Sequence, residues 1–162
     1  MIVVLWGVSG CGKTTVGQQV ALALDWSFFD ADDFHPESNV RKMRGGTPLT
    51  DEDRWPWLDH LAQMMLAEIE QGRNAVLACS ALKRVYRQRL CVDAEQMRFV
   101  HLRGEFALIA QRIGARDHEF MHNDLLQSQF DTLEPEEGGL SVDVRASTAE
   151  LCREIIQLVN QT

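Results

Sequence analysis

Residues 2–15 read Ile2-Val3-Val4-Leu5-Trp6-Gly7-Val8-Ser9-Gly10-Cys11-Gly12-Lys13-Thr14-Thr15. The first five are uniformly apolar and too few for an ordinary helix, which describes a strand covered on both faces. The next eight fit G-x-x-x-x-G-K-[ST], and residues 14–24 continue with helical spacing. Strand, glycine loop and helix in direct succession are the setting in which this spacing binds phosphate. Glycines let backbone N–H groups turn inward around phosphate oxygens, a lysine adds a point charge, and a hydroxyl can ligate Mg²⁺. Gly7, Val8, Ser9, Gly10, Cys11, Gly12, Lys13, Thr14 and Thr15 are therefore the expected nucleotide-binding residues, with Lys13 also catalytic and Thr14 also a metal ligand.

Outward from this loop, further apolar runs of strand length fall at 26–29, 75–79, 98–102 and 140–144. Longer segments with helical periodicity separate them, as at 57–70, where Leu58, Leu61, Met65 and Ile69 share one face. Thr50 followed by Asp51, Glu52 and Asp53 supplies a cap and an acidic first turn before that helix, and Gly72 supplies its stop. Alternating strands and helices predict an α/β fold in three layers, with about five parallel strands and helices on both faces. Residues 1–162 are expected to form a single domain. A helical insertion at about 34–70 should bind the acceptor, and the final helix, with Leu151, Ile155, Ile156 and Val159, reads as core.

A net charge of −8 and a pI near 5.0 argue against nucleic-acid binding, which needs clustered Lys and Arg. An acidic protein still binds an anion where backbone N–H groups and a few cations converge. Cys11, Cys79, Cys91 and Cys152 form no C-x-x-C pair and no metal-ligand spacing with His, which speaks for a reducing compartment and against a zinc site. No run approaches the ~20 apolar residues of a membrane span. The expectation is a soluble, cytoplasmic protein without membrane or nucleic-acid partners.

A phosphate loop names no acceptor. The chain has no N-K-x-D for guanine and no D-x-x-G, and its third strand ends Leu77-Ala78-Cys79-Ser80 without the Asp-Glu of a mechanical ATPase. Small-molecule kinases of the nucleoside-monophosphate and shikimate type fit better. The second strand ends Asp30-Ala31-Asp32-Asp33, and alternation turns Asp30 and Asp32 to the same side at the carboxyl edge. One carboxylate there can hold a Mg²⁺ water and the other can take the acceptor's hydroxyl proton, roles given to Asp30 and Asp32 respectively. Asp33 reads as a helix-capping turn residue, and Trp55 and Trp57 as packing.

Residues 30–58 resemble gluconate kinases of the thermoresistant type. The likeness is carried by Asp30-x-Asp32, His35-Pro36, Asn39, Lys42-Met43, Gly46, Pro48-Leu49, Asp51-x-Asp53-Arg54 and Pro56-Trp57-Leu58. It continues through Cys79-Ser80-Ala81-Leu82-Lys83, Tyr86-Arg87 and Ser128-Gln129-Phe130-x-Thr132-Leu133-Glu134. The resemblance implies transfer of the ATP γ-phosphate to the 6-hydroxyl of D-gluconate, with ATP and Mg²⁺ required. Gluconate offers a carboxylate and a row of hydroxyls, and the implied acceptor residues are Asp32, His35, Asn39, Lys42, Arg54, Ser80, Lys83 and Arg87. Lys83 and Arg87 are four apart on an expected helix and so share a face. Kinases of this type carry a lid, here expected at about 112–122, whose Arg112 and Arg116 would reach the phosphates. The fold also brings the loop at Asp143-Val144-Arg145 near adenine. Homodimers are frequent in the family.

Three departures accompany the likeness. The family's lid has Gly-His-Phe where this chain has His118-Glu119-Phe120, its Asp-Gly-Asp is Asp30-Ala31-Asp32, and Cys91 replaces a frequent arginine. The competing readings are a kinase of another hydroxy acid or nucleotide, shikimate-like, and an ATP-binding regulatory protein without catalysis.

Overall fold

Each of the five apolar runs is a strand in the computed structural model, which describes residues 1–114 and 121–161. In chain order the elements are β1 Ile2–Trp6, α1 Lys13–Leu24, β2 Ser27–Asp30, α2 Glu37–Arg44, α3 Asp51–Glu70, β3 Ala75–Ala78 and α4 Arg84–Leu90. They continue as β4 Met97–Arg103, α5 Phe106–Gly114, α6 Met121–Thr132, β5 Leu140–Asp143 and α7 Thr148–Asn160, with a 3₁₀ turn at Ala31–Phe34. The sheet is wholly parallel in the order β2-β3-β1-β4-β5.

β1 lies at the centre, and all five of its residues are buried. Val3 and Leu5 face a core built with Val16 and Val20 of α1 and Leu151, Ile155 and Val159 of α7. Ile2, Val4 and Trp6 face a second core built with Trp57, Leu58, Leu61 and Met65 of α3 and Tyr86 and Leu90 of α4. The uniform hydrophobic run is thus an alternation between two apolar layers. Each fully buried Leu or Ile side chain contributes about 1.5–3 kcal/mol, which ties every helix layer to this strand. Gly17 of α1 lets the helix approach the sheet closely, since a Cβ there would stand 2.7 Å from the Phe28 ring of β2.

Helix α3 begins at Asp51 rather than at Trp57. Thr50 accepts from the Asp53 N–H and Asp53 accepts from the Thr50 N–H, a capping box strong enough to carry the helix through Pro56. Pro56 therefore lies inside the second turn. Among the described residues no helix is long and apolar enough to cross a membrane. The expected lid residues 115–120, including Arg116 and His118-Glu119-Phe120, lie outside the described residues.

At the carboxyl end of β1, the Trp6 indole stacks on His101 of β4, with ring centroids 4.0 Å apart, and the Arg87 guanidinium lies 3.9 Å from the indole centroid. Burial, with Arg87 and Arg103 nearby, pushes the His101 pKa from 6.5 down to about 4. The folded chain therefore favours the neutral ring. The stability this contributes is complete above pH 6.5 and is lost as the pH falls from 6.5 towards 4, by roughly 3 kcal/mol. Urea unfolding across that range should show the loss, and His101→Gln should flatten it; an equal slope in both proteins would exclude His101 as the source.

Candidate active site

Parallel pairing in this order sets the carboxyl ends of β1, β2 and β3 side by side. Gly7, Asp30 and Ser80 therefore converge, and the Gly7 N–H donates to the Ser80 carbonyl at 3.1 Å. Within the loop Gly7, Gly10 and Gly12 have φ of 145°, 79° and 99°, conformations that side chains resist. A Cβ on Gly10 would also stand 2.6 Å from Ile113 of α5. Lys13 turns back across the loop, donating to the carbonyls of Gly7 at 3.0 Å and Val8 at 2.9 Å. Val8 and Cys11 are buried beneath it, and burial pushes the Cys11 thiol up, so it is a filler rather than a nucleophile.

Beside Lys13 opens a cleft of about 170 Å³ lined by Ser9, Gly10, Gly12, Lys13, Thr14, Thr15, Asp30, Asp32 and Ser80, among others. The Thr14 hydroxyl donates to Asp30 Oδ2 at 2.7 Å, while Asp30 Oδ1 accepts the Asp32 N–H at 3.1 Å and so starts the 3₁₀ turn. Two hard oxygens, Thr14 Oγ1 and Asp30 Oδ2, therefore sit together at the loop. This donor set fits Mg²⁺, which takes one or two protein oxygens and completes its shell with phosphate and water. Among the described residues no cluster of three or more His, Cys, Asp or Glu could hold a metal.

Desolvation by the cleft walls, and then the Asp30 carboxylate, raise the Asp32 pKa above the ordinary carboxylate range. The side chain is 81% exposed, which limits the first effect. His35 Nε2 stands 3.9 Å from Asp32 Oδ1. The His35 ring is stacked on Trp57, whose Nε1–H is anchored on the Ala31 carbonyl at 2.8 Å. Asn39 Nδ2 donates to the Asp53 carbonyl at 2.9 Å and lies 3.3 Å from His35 Nδ1. One amide nitrogen facing two acceptors makes Nδ1 the acceptor and leaves the proton on Nε2, towards Asp32. Burial lowers the His35 pKa and keeps the ring neutral.

The remaining cations occupy different situations. Lys42 Nζ bridges both Asp53 oxygens at 2.8 Å, which, together with the Thr50 cap, holds that carboxyl at about 2. Lys83 donates to both oxygens of Asp51 at 3.2 and 3.1 Å, and the Tyr86 hydroxyl bonds the same carboxylate. Arg54 donates to the Leu49 carbonyl at 2.8 Å and stands 3.7 Å from Asp51. Arg87 departs from expectation. It is 3% exposed and donates to the carbonyls of Ala81 at 2.9 Å, Leu82 at 3.1 Å and Glu134 at 2.7 Å. Lys83 is the extended N-cap of α4 rather than a helical residue, so the four-residue spacing does not give the two side chains a common face.

On the other side of the loop a cavity of about 400 Å³ is lined by Gly10, Cys11, Gly12, Thr15, Val16, Arg112, Ala146, Ser147, Thr148 and Leu151. Arg112 reaches it from α5 with Nη2 on the Val144 carbonyl at 2.6 Å. Residues 146–148 line it, while in the preceding segment, expected near adenine, the Arg145 guanidinium donates to Asp143 at 3.0 and 2.7 Å. Asp51, Ala146, Ser147 and Thr148 were not among the expected site residues, and neither spacing nor composition marks them.

The sheet order, the lysine-closed glycine loop and the strand-end carboxylates define a P-loop kinase, which uses ATP. The family model described as shikimate kinase matches residues 9–157. A probable gluconokinase of Xenopus tropicalis is 43% identical over 173 residues, covering 96% of this chain and 91% of that one. The thermoresistant gluconokinase of Escherichia coli strain K12 is 41% identical over 143 residues, covering 88% of this chain and 81% of that one. The crystal structure of a gluconokinase from Sinorhizobium meliloti 1021 superposes with a TM-score of 0.85 at 41% identity, covering 94% of this chain and 87% of that one. Solved shikimate kinases stand at 15–17% identity and share the fold alone. The chain belongs to the gluconokinase family.

Replacing Arg87 with Met removes the guanidinium donor from the carbonyls of Ala81, Leu82 and Glu134, of which Leu82 keeps the Glu134 N–H, and should lower stability by about 2–4 kcal/mol. Denaturant unfolding measures this, and the folded variant should keep its acceptor KM within about twofold. A large KM change at unchanged stability would return Arg87 to the acceptor site.

Proposed function

We propose that the chain transfers the γ-phosphate of ATP to the 6-hydroxyl of D-gluconate, giving 6-phospho-D-gluconate and ADP. The observation that carries the reading is the cleft in which the loop from Gly7 to Thr15, Asp30, Asp32 and Ser80 converge, in a chain about 40% identical to gluconokinases over most of its length. The loop N–H groups and Lys13 bind the β- and γ-phosphates, and the larger cavity beside Arg112, Ser147 and Thr148 takes the nucleoside end. Thr14 and Asp30 would hold Mg²⁺, which when bound offsets negative charge between the phosphates.

Asp32 accepts the proton of the 6-hydroxyl as its oxygen bonds to the γ-phosphorus. The bond from that phosphorus to the β-γ bridging oxygen breaks and ADP leaves with the electron pair. A carboxylate whose pKa is raised by burial and by the Asp30 charge is a stronger base than a free aspartate. Neutral His35, aimed at Asp32 by Asn39 and Trp57, supports it and can bond a gluconate hydroxyl. Lys42, Arg54 and Lys83 surround the acceptor's carboxylate and hydroxyls, and Arg54, with most of its guanidinium N–H groups outside any hydrogen bond to described residues, is the best bidentate partner. Arg112 stabilises charge at the phosphates, as Arg116 would from outside the described residues.

A panel of gluconate, shikimate and nucleoside monophosphates in an ADP-release assay tests the substrate. Gluconate should turn over fastest; a large preference for shikimate, which the matching family model raises, or no ADP release with any acceptor, overturns the reading. Asp32→Asn should cut kcat by about 10²–10⁴-fold with little change in the KM for ATP. The acid limb of the wild-type profile should lie above the ordinary aspartate range, with activity lost as the pH falls and Asp32 protonates. Arg54→Ala should raise the gluconate KM about tenfold or more while the ATP KM stays put.

A further inference from the structure

The stretch Ser128-Gln129-Phe130-Asp131-Thr132-Leu133-Glu134 has no place in the phosphate or acceptor chemistry above. It covers the last turns of α6 and the residues beyond. Gln129 addresses Ser9 of the phosphate loop with both ends of its amide: Oε1 accepts the Ser9 N–H at 2.6 Å and Nε2 donates to Ser9 Oγ at 2.9 Å. The two ends of one amide thus accept from a backbone N–H and donate to a hydroxyl at once, and no other loop residue receives such a pair among the described residues.

Five residues later the same segment grips the opposite wall. The Glu134 N–H donates to the Leu82 carbonyl at 2.9 Å, its Oε2 accepts the Arg84 N–H at 2.7 Å, and its carbonyl accepts Arg87 Nη2 at 2.7 Å. These bonds hold the turn between Ser80 and Lys83, in which Ala81 has a φ of 40°, a conformation a β-carbon disfavours. Between the two grips the segment is fixed to the body of the protein. Leu126 is buried in the α1-α7 core, and the Phe130 ring meets Phe106 of α5 edge-on at 5.6 Å. One rigid element thus touches the donor loop at Ser9 and the acceptor turn at 82–84, and both Ser9 and Ser80 line the reaction cleft.

We propose that Gln129 and Glu134 are paired positioning residues through which α6 sets the separation between the transferred phosphoryl group and the acceptor hydroxyl. Gln129 acts through Ser9 on the nucleotide side and Glu134 acts through the 80–84 turn on the acceptor side. The assignment of sides rests on the gluconate reading above. Phosphoryl transfer depends on alignment more than on any covalent contribution of the protein, so a small displacement of either wall lowers the rate.

Two measurements on full-length variants test this. The dissociation constant for a non-hydrolysable ATP analogue needs no acceptor, and steady-state kinetics supply kcat and both KM values. Gln129→Ala should weaken analogue binding several-fold and lower kcat about tenfold, with the gluconate KM within about twofold of wild type. Glu134→Ala should do the reverse, raising the gluconate KM with analogue affinity kept. Ser9→Ala combined with Gln129→Ala should cost less than the product of the single effects, since both remove part of one contact. The proposal is overturned if Gln129→Ala binds the analogue as wild type does. It is also overturned if the Ser9 and Gln129 effects multiply, or if both Gln129→Ala and Glu134→Ala disturb both substrates alike in step with a lowered Tm. Should wild type ignore gluconate, the gluconate reading falls by itself, and the analogue titration and the kinetics with the preferred acceptor still decide the role of Gln129 and Glu134.

Discussion

β1 is hidden on both faces and paired in parallel on both edges, to β3 and β4. Nothing in the strand can shift without exposing one of two cores, so the residue that follows it is fixed to the sheet. That residue is Gly7, and its N–H is held by the Ser80 carbonyl at the end of the neighbouring strand. Parallel order then brings Asp30 from the next strand to the same edge. The site is the place where three strands of one direction stop, and its precision comes from the apolar burial behind it rather than from contacts within it.

An acidic protein that binds a polyanion must solve the problem locally. The loop does so with backbone N–H groups and one ammonium, which the carbonyls of Gly7 and Val8 keep at the loop's mouth. Near the cleft Lys42 and Lys83, the cations proposed to meet the acceptor, are tethered instead by carboxylates, Lys42 by Asp53 and Lys83 by Asp51, both aspartates belonging to the first turn of α3. Thr50, which caps that turn, thereby also fixes the partners of both lysines. The capping box links the start of a helix to the electrostatics of the pocket.

The phosphate loop, the five strands and Asp30 were legible because each is a local pattern, a spacing, an apolar run or a strand end, whereas Asp32 joins Asp30 at the cleft through a 3₁₀ turn and not by alternation along a strand. Arg87 was not legible. Its four-residue distance from Lys83 suggested a shared polar face, yet Lys83 caps the helix in an extended conformation while Arg87 turns under Trp6 into the core. A buried guanidinium whose two terminal nitrogens donate to carbonyls of residues 81, 82 and 134 leaves no trace in the spacing of basic residues. The start of α3 was marked by its cap at Thr50, although the apolar face that reveals the helix begins only at Leu58.

The amino-acid sequence by itself determined that this chain builds a phosphate-binding loop on a buried parallel strand, and its motifs, taken together, determined the family. Those features depend on residues close together in the chain, where backbone geometry and side-chain alternation translate spacing directly into position. Only the tertiary structure decided which polar groups face the cleft and which hold it in shape. Gln129 and Ser9 are 120 residues apart, and their meeting depends on how α6 seats on the core through Leu126 and Phe130. Contacts of that range are set by packing, whose outcome no local pattern records.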